Sequence, residues 1–206
     1  MIPVDSLLQK GASYRKVGPG DIVFNEGTTA VYYYQLITGQ IRWCSITDDG
    51  REILHRVVEP GGSIGEFPLF DDEPYAASAI ADAPSILLRL PIQSFHELLR
   101  EYPDIHLRFT KSLVQHLRFK FFLTTLQSEN SPEKIISRLI SYFNQQGKFI
   151  CQDCNRLLLT RQQLANMTGL RVETVIRAIK HMEKEERISI VKGKVFVPAD
   201  GLGCCI

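Results

Sequence analysis

The chain has 206 residues, 44% hydrophobic and 23% charged, and a net charge of +1. That suffices for one large or two modest domains with their own cores, while a charge so near zero says nothing by itself about partners. No apolar run approaches membrane-spanning length, no basic-then-apolar export pattern opens the chain, and five cysteines in such a chain argue against a disulfide framework, so a cytoplasmic protein with no membrane partner is expected.

From about residue 14 to 90 the pattern is short β-rich runs punctuated by glycine. Residues 31–37, Ile41–Ile46 and 85–90 are the clearest, separated by Gly39, Gly50, Gly61, Gly62 and Gly65. Strands this short and evenly spaced predict a jelly roll or barrel. Pro91 ends the strands, and residues 93–100 read as a short helix.

Pro103–Gln127 reads as one long helix. Leu107, Val114 and Phe121 recur every seven residues, interleaved with Thr110, Leu117 and Thr124, which makes a coiled-coil seam. The alternative is a helix packed on its own barrel. A break at 128–131 follows. Ser131 as cap and Pro132 in the first turn then open a helix over residues 133–144.

The last third carries the most specific pattern. Thr160 caps a helix, with Gln163 three residues later completing a capping box, and Leu164, Ala165 and Met167 supply its apolar contacts. Gly169 is placed for a sharp turn. In the next helix Val175, Ala178, Ile179 and Met182 share one face, and Val172, Glu173, Ile176, Arg177 and Lys180 the other. Arg171 stands where a Ser or Thr would cap that helix. A short basic hairpin with Lys192, Gly193 and Lys194 at its tip closes the pattern. Charge follows this division: residues 1–128 hold 12 Lys and Arg against 15 Asp and Glu, and residues 129–206 hold 12 against 8. A mildly acidic front and basic rear suit a sensor module joined to a nucleic-acid module.

In the order of these parts the chain resembles the CRP/FNR superfamily of bacterial transcription factors. The marks are Gly20 and Asp21, Glu26 and Gly27, Gly39, the run from Pro60 through Gly65 and Glu66 with Leu69 and Phe70, the long helix, and Gly169 with Val172, Glu173 and Arg177. The resemblance implies an α+β fold with a β-roll sensor (1–102), a dimerisation helix (103–128) and a winged helix-turn-helix (129–206). The implied partners are double-stranded DNA, a second copy of the chain, and RNA polymerase for an activator.

An arginine can donate to both acceptors of guanine, and a carboxylate can accept from cytosine, so Glu173 and Arg177 are expected to read base edges. Val172 and Ile176 flank them; the resemblance implies a TGA-like core in each half-site. Thr160, Arg161, Gln162, Lys180, Lys192 and Lys194 are placed to hold phosphates, which sets register without reading sequence. For Glu173 and Arg177 the bland alternative is an intrahelical ion pair; for Lys192 and Lys194 it is a solvated hairpin tip.

The effector stays open. An effector pocket would involve Gly65, Glu66, Tyr75, Ala76 and Phe121, but cyclic-AMP-binding relatives carry an Arg-Ser pair for the phosphate where this chain has Tyr75 and Ala76. A buried phosphate without a cation pays a desolvation cost that neutral donors rarely offset, so cyclic AMP is not expected. Glu66 is then expected to be a turn residue held by backbone donors. Iron–sulfur sensing needs an amino-terminal cysteine cluster, and only Cys44 precedes Cys151. His55, His96, His106 and His116 form no ligand pattern, and Phe119, Phe121 and Phe122 line a pocket or pack as core. Cys151 and Cys154 with Cys204 and Cys205 would give four sulfurs for zinc or a redox pair; the plainer reading is a hairpin turn and an incidental tail. The dimer seam is expected at Leu107, Val114, Leu117 and Phe121. No nucleophile–base pairing, phosphate loop or HExxH pattern marks an enzyme. The rival reading is a β-roll small-molecule or redox/metal sensor that acts through protein partners rather than DNA.

Overall fold

The computed structural model describes residues 2–198, which fall into two compact units divided within the long helix, residues 1–118 and 119–206. Cys204 and Cys205 lie outside the described residues.

In the first unit, helix α1 (Val4–Gln9) precedes the strands β1 (Ser13–Val17), β2 (Ile22–Phe24), β3 (Tyr32–Thr38), β4 (Ile41–Ile46), β5 (Glu52–Val58) and β6 (Ser63–Ile64). A single turn α2 (Pro68–Asp71) leads to β7 (Ser78–Ala81) and β8 (Ser85–Pro91), then to helix α3 (Ile92–Glu101). The strands form two antiparallel sheets, in the orders β1-β8-β3-β6 and β2-β7-β4-β5. Period-2 alternation explains how they pack. Along β3, Tyr34 and Leu36 point into the core shared by both sheets, where they meet Ile41, Trp43, Ile64, Ala79 and Leu87. Tyr33, next to Tyr34, points the other way and packs with Leu88, Leu90, Phe95, Leu98 and Phe109. The strand β3 is therefore buried on both faces. Gln35 is fully buried, yet its amide is satisfied: it bonds both backbone groups of Ile2 (3.1 and 3.0 Å) and accepts from the Tyr33 hydroxyl (2.8 Å).

Helix α4 runs over Pro103–Gln127, and its amino-terminal Ile105 and Phe109 belong to the core beneath the first sheet. In the second unit, helix α5 (Pro132–Gln145) starts at Ser131, whose side chain accepts from Lys134 N, with proline in the first turn. Ile135, Ile136, Leu139, Ile140 and Phe143 form its buried face. Phe119 and Phe122 stack on Tyr142, with ring centroids 5.2 and 4.4 Å apart, so these two half-buried rings pack within this unit. A bridge between Ile150 and Leu157 closes a short hairpin. Helices α6 (Arg161–Thr168) and α7 (Val172–Lys184) and the strands β9 (Ser189–Val191) and β10 (Lys194–Phe196) complete the unit.

Candidate nucleic-acid interface and roll interior

Thr160 and Gln163 set the start of α6. The Thr160 hydroxyl accepts from Gln163 N at 3.1 Å while Thr160 N donates to Gln163 Oε1 at 2.9 Å, a reciprocal cap that satisfies two otherwise orphaned donors. Gly169 ends the helix at φ 73°, in the left-handed region a side chain disfavours. Arg171 opens α7 without a side-chain cap bond.

Val175, Ala178, Ile179 and Met182 of α7 are buried, which turns Glu173, Arg177 and Lys180 outward into solvent; Val172 and Ile176 are half-buried beside them. Glu173 sits in the first turn and His181 and Lys184 in the last, so the helix dipole favours all three. Glu173 and Arg177 make no ion pair with each other among the described residues. Arg177 reaches only a long 3.5 Å contact to its own neighbour Thr174 Oγ1. Neither head is spent on the other.

The basic hairpin is fastened to this pair of helices. Ile190 N donates to Glu183 Oε1 (3.1 Å), and Arg161 Nη1 donates to Gly193 O (3.0 Å). Arg161 is therefore partly used in holding the tip. Lys192 (φ 48°) and Gly193 (φ 74°) make the tight turn, with Lys192 and Lys194 exposed. Thr160 and Gln162 are exposed, and the Gln162 amide donates to Asn166 at 2.7 Å.

Inside the roll lies an aromatic pair. Phe24 and Tyr75 stack with centroids 3.7 Å apart and planes 11° from parallel. Burial raises the Tyr75 hydroxyl's pKa, with Tyr34 adding to the effect. Gly65 (φ 71°) lies against these rings: a Cβ there would stand 2.6 Å from Tyr75 Cε1 and 2.8 Å from Phe24 Cζ. Ala76 is exposed and Phe121 is 68% exposed.

Glu66 is buried, and side chains rather than backbone donors hold it. Its Oε1 accepts from Ser63 Oγ (2.8 Å) and Arg56 Nη2 (3.1 Å). Arg56 in turn donates through Nη1 to the His116 ring (2.7 Å to Nδ1) and to Ser63 O, and stacks its guanidinium over Trp43 at 5.4 Å. Sequence reasoning missed this cluster. The one available signal was a lone arginine amid the apolar residues of β5.

His96 is satisfied by Leu69 O and His55 by Ser45 Oγ, and among the described residues no three His, Cys, Asp or Glu side chains gather as a metal site. Cys151 is half-buried and Cys154 exposed in the hairpin turn. Of the seam residues, Leu107, Val114, Leu117 and Phe121 are 55%, 46%, 57% and 68% exposed.

Two family models match the chain: a cyclic nucleotide-binding domain over residues 14–102 and a Crp-like helix-turn-helix domain over residues 133–199. It is 25% identical over 209 residues to the transcriptional activator protein anr of Pseudomonas aeruginosa, covering 100% of this chain and 83% of that one. It is also 25% identical over 177 residues to the cAMP-activated global transcriptional regulator CRP of Pasteurella multocida, covering 85% and 84%. Among solved structures, the c-di-GMP-responsive global regulator CLP of Xanthomonas campestris superimposes with a TM-score of 0.75 at 18% identity, covering 94% of this chain and 97% of that one. A CooA mutant from Carboxydothermus hydrogenoformans gives 0.78 at 15% identity, covering 92% and 84%. At these identities the structural matches show the fold alone.

Proposed function

The chain belongs to the CRP/FNR superfamily of transcription regulators, and from that premise we propose that it binds double-stranded DNA sequence-specifically as a homodimer. One observation carries the reading: Glu173 and Arg177 are exposed and unpaired to each other on a helix whose opposite face is buried. An exposed acidic and basic pair that is not spent on a mutual ion pair can offer its hydrogen-bonding groups to base edges.

In this reading α7 enters the major groove. Arg177 donates to guanine and Glu173 accepts from cytosine, while Val172 and Ile176 offer apolar contact to a thymine methyl. Thr160, Arg161, Gln162, Lys180, Lys192 and Lys194 hold phosphates. A second copy covers Leu107, Val114, Leu117 and Phe121, so the operator is an inverted repeat with half-sites about one helical turn apart. Regulators of this family bind DNA as dimers and contact RNA polymerase, and both are extended here to this chain.

The effector is not cyclic AMP. Tyr75 stacks on Phe24 where a phosphate would need a cation, and Arg56, the cation nearest to Glu66, is already committed to Glu66, Ser63 and His116.

Anisotropy of a labelled random duplex tests DNA binding directly. Affinity that falls steeply as salt rises supports it, because phosphate contacts release counterions. Affinity that is absent, or indifferent to salt, contradicts it and favours a module that works through protein partners.

A further inference from the structure

Cys151 and Cys154 occupy a turn that brings positions three apart in sequence side by side. Asn155 N donates to Cys151 O (2.8 Å) and Cys151 N to Arg156 O (2.9 Å), while Asn155 takes φ 55° to close the turn. Neither thiol is fully buried. The far arm of this turn is joined to the basic hairpin: Leu157 N donates to Val195 O (2.9 Å), Val197 N to Asn155 O (3.0 Å), and Arg156 bridges to Phe196.

We propose that Cys151 and Cys154 are a reactive dithiol that a hydroperoxide closes to a disulfide, stiffening the turn and with it the strand β10 it is bonded to. The Cys151 sulfur accepts a hydrogen bond from the Cys154 thiol and others from the backbone of Cys154 and Asp153, which hold its pKa below the ordinary thiol range. Cys44 is the contrast. It is fully buried, and burial together with Glu52 pushes its pKa up to about 11, so it stays a neutral, shielded thiol.

The chemistry balances in two steps. Cys151 thiolate attacks a peroxide oxygen: an S–O bond forms, the O–O bond breaks, and the leaving hydroxide or alkoxide takes a proton to become water or an alcohol. Cys154 thiolate then attacks the sulfenic sulfur of Cys151; the S–S bond forms, the S–O bond breaks, and the hydroxide leaves as a second water. The two thiols lose two electrons, which the peroxide gains.

Trypsin cleavage after Lys148 and Arg156 places both cysteines in one peptide, 149–156, and separates them from Cys44 and from residues 195–206. Treating the full chain with hydrogen peroxide and then digesting it should give peptide 149–156 lighter by two hydrogens, restored by dithiothreitol. In the Cys154→Ser variant the same peptide should gain one oxygen instead and be trapped by dimedone. Hydrogen exchange should slow at the Leu157 and Val197 amides of the oxidised chain by up to about twentyfold, the bound for closing so short a loop. An unmodified peptide, a crosslink to residues 195–206, or zinc retained on the pair by native mass spectrometry would overturn the dithiol. Unchanged exchange at Leu157 and Val197 would overturn its link to β10. None of these readouts depends on DNA binding.

Discussion

Arg56 donates from Nη2 to Glu66 Oε1 across 3.1 Å, with the carboxylate side chain 1% exposed and the guanidinium side chain 13%. A charge that deep is tolerable only while its partner is present. Among the described residues Glu66 Oε2 and Arg56 Nε have no hydrogen-bond partner, so the cluster has nothing in reserve. Arg56→Met should therefore cost about 3–5 kcal/mol in urea unfolding, the penalty of an uncompensated buried carboxylate. Adding Glu66→Gln to it should recover much of that loss. An unchanged midpoint for Arg56→Met would show that the pair is solvated in solution.

Gly65→Ala tests the filled roll interior. The new methyl meets Tyr75 and Phe24 ring atoms at under 3 Å from a left-handed backbone, so a loss of about 1–3 kcal/mol is expected. For the native chain, cyclic AMP should leave the thermal midpoint where it was, since nothing binds. A clear upward shift would mean that the stacked rings open for a ligand.

Cys44 predicts a pH dependence. Its folded pKa lies above the ordinary thiol value, so the stability gained by keeping it neutral is full below that value and is lost as pH rises toward about 11. Urea midpoints measured from neutral to alkaline pH should fall more steeply for the native chain than for Cys44→Ala. Parallel curves would place the thiol in contact with solvent.

Leu117→Glu puts a charge on the exposed face of α4, 57% exposed in the single chain. It should leave the fold intact by circular dichroism and yield a monomer in sedimentation, because a buried interface charge is costly unless paired. A variant that still sediments as a dimer would move the seam elsewhere.

Lys192→Ala and Lys194→Ala should each lower the slope of log affinity against log salt by about 1 and leave sequence preference intact, as lost phosphate contacts do. A change in preferred sequence would mean that the tip reads bases.

Local rules made the second unit legible. The Thr160–Gln163 capping box, the Gly169 turn and the buried set Val175, Ala178, Ile179 and Met182 all follow from short-range spacing, and so do the bounds of α4. Glu66 shows where such reasoning stops. Its partners lie three, ten and fifty residues away, on β6, β5 and α4, and only the closed roll brings them together. Backbone donors were the natural expectation for a glutamate beside a glycine turn, and that expectation fails because Arg56 reaches in from the neighbouring strands. The Phe24–Tyr75 stack was hidden for the same reason, since fifty residues separate the two rings.

Selection of binding sites from a pool of random duplexes, run with the native chain and with Arg177→Ala, tests the central claim most directly. The native chain should enrich an inverted repeat with a G·C pair in each half-site. Arg177→Ala should lose about 1–3 kcal/mol on that sequence and accept other bases at one position per half-site. Enrichment of no sequence, or an identical preference from the two proteins, would contradict the account.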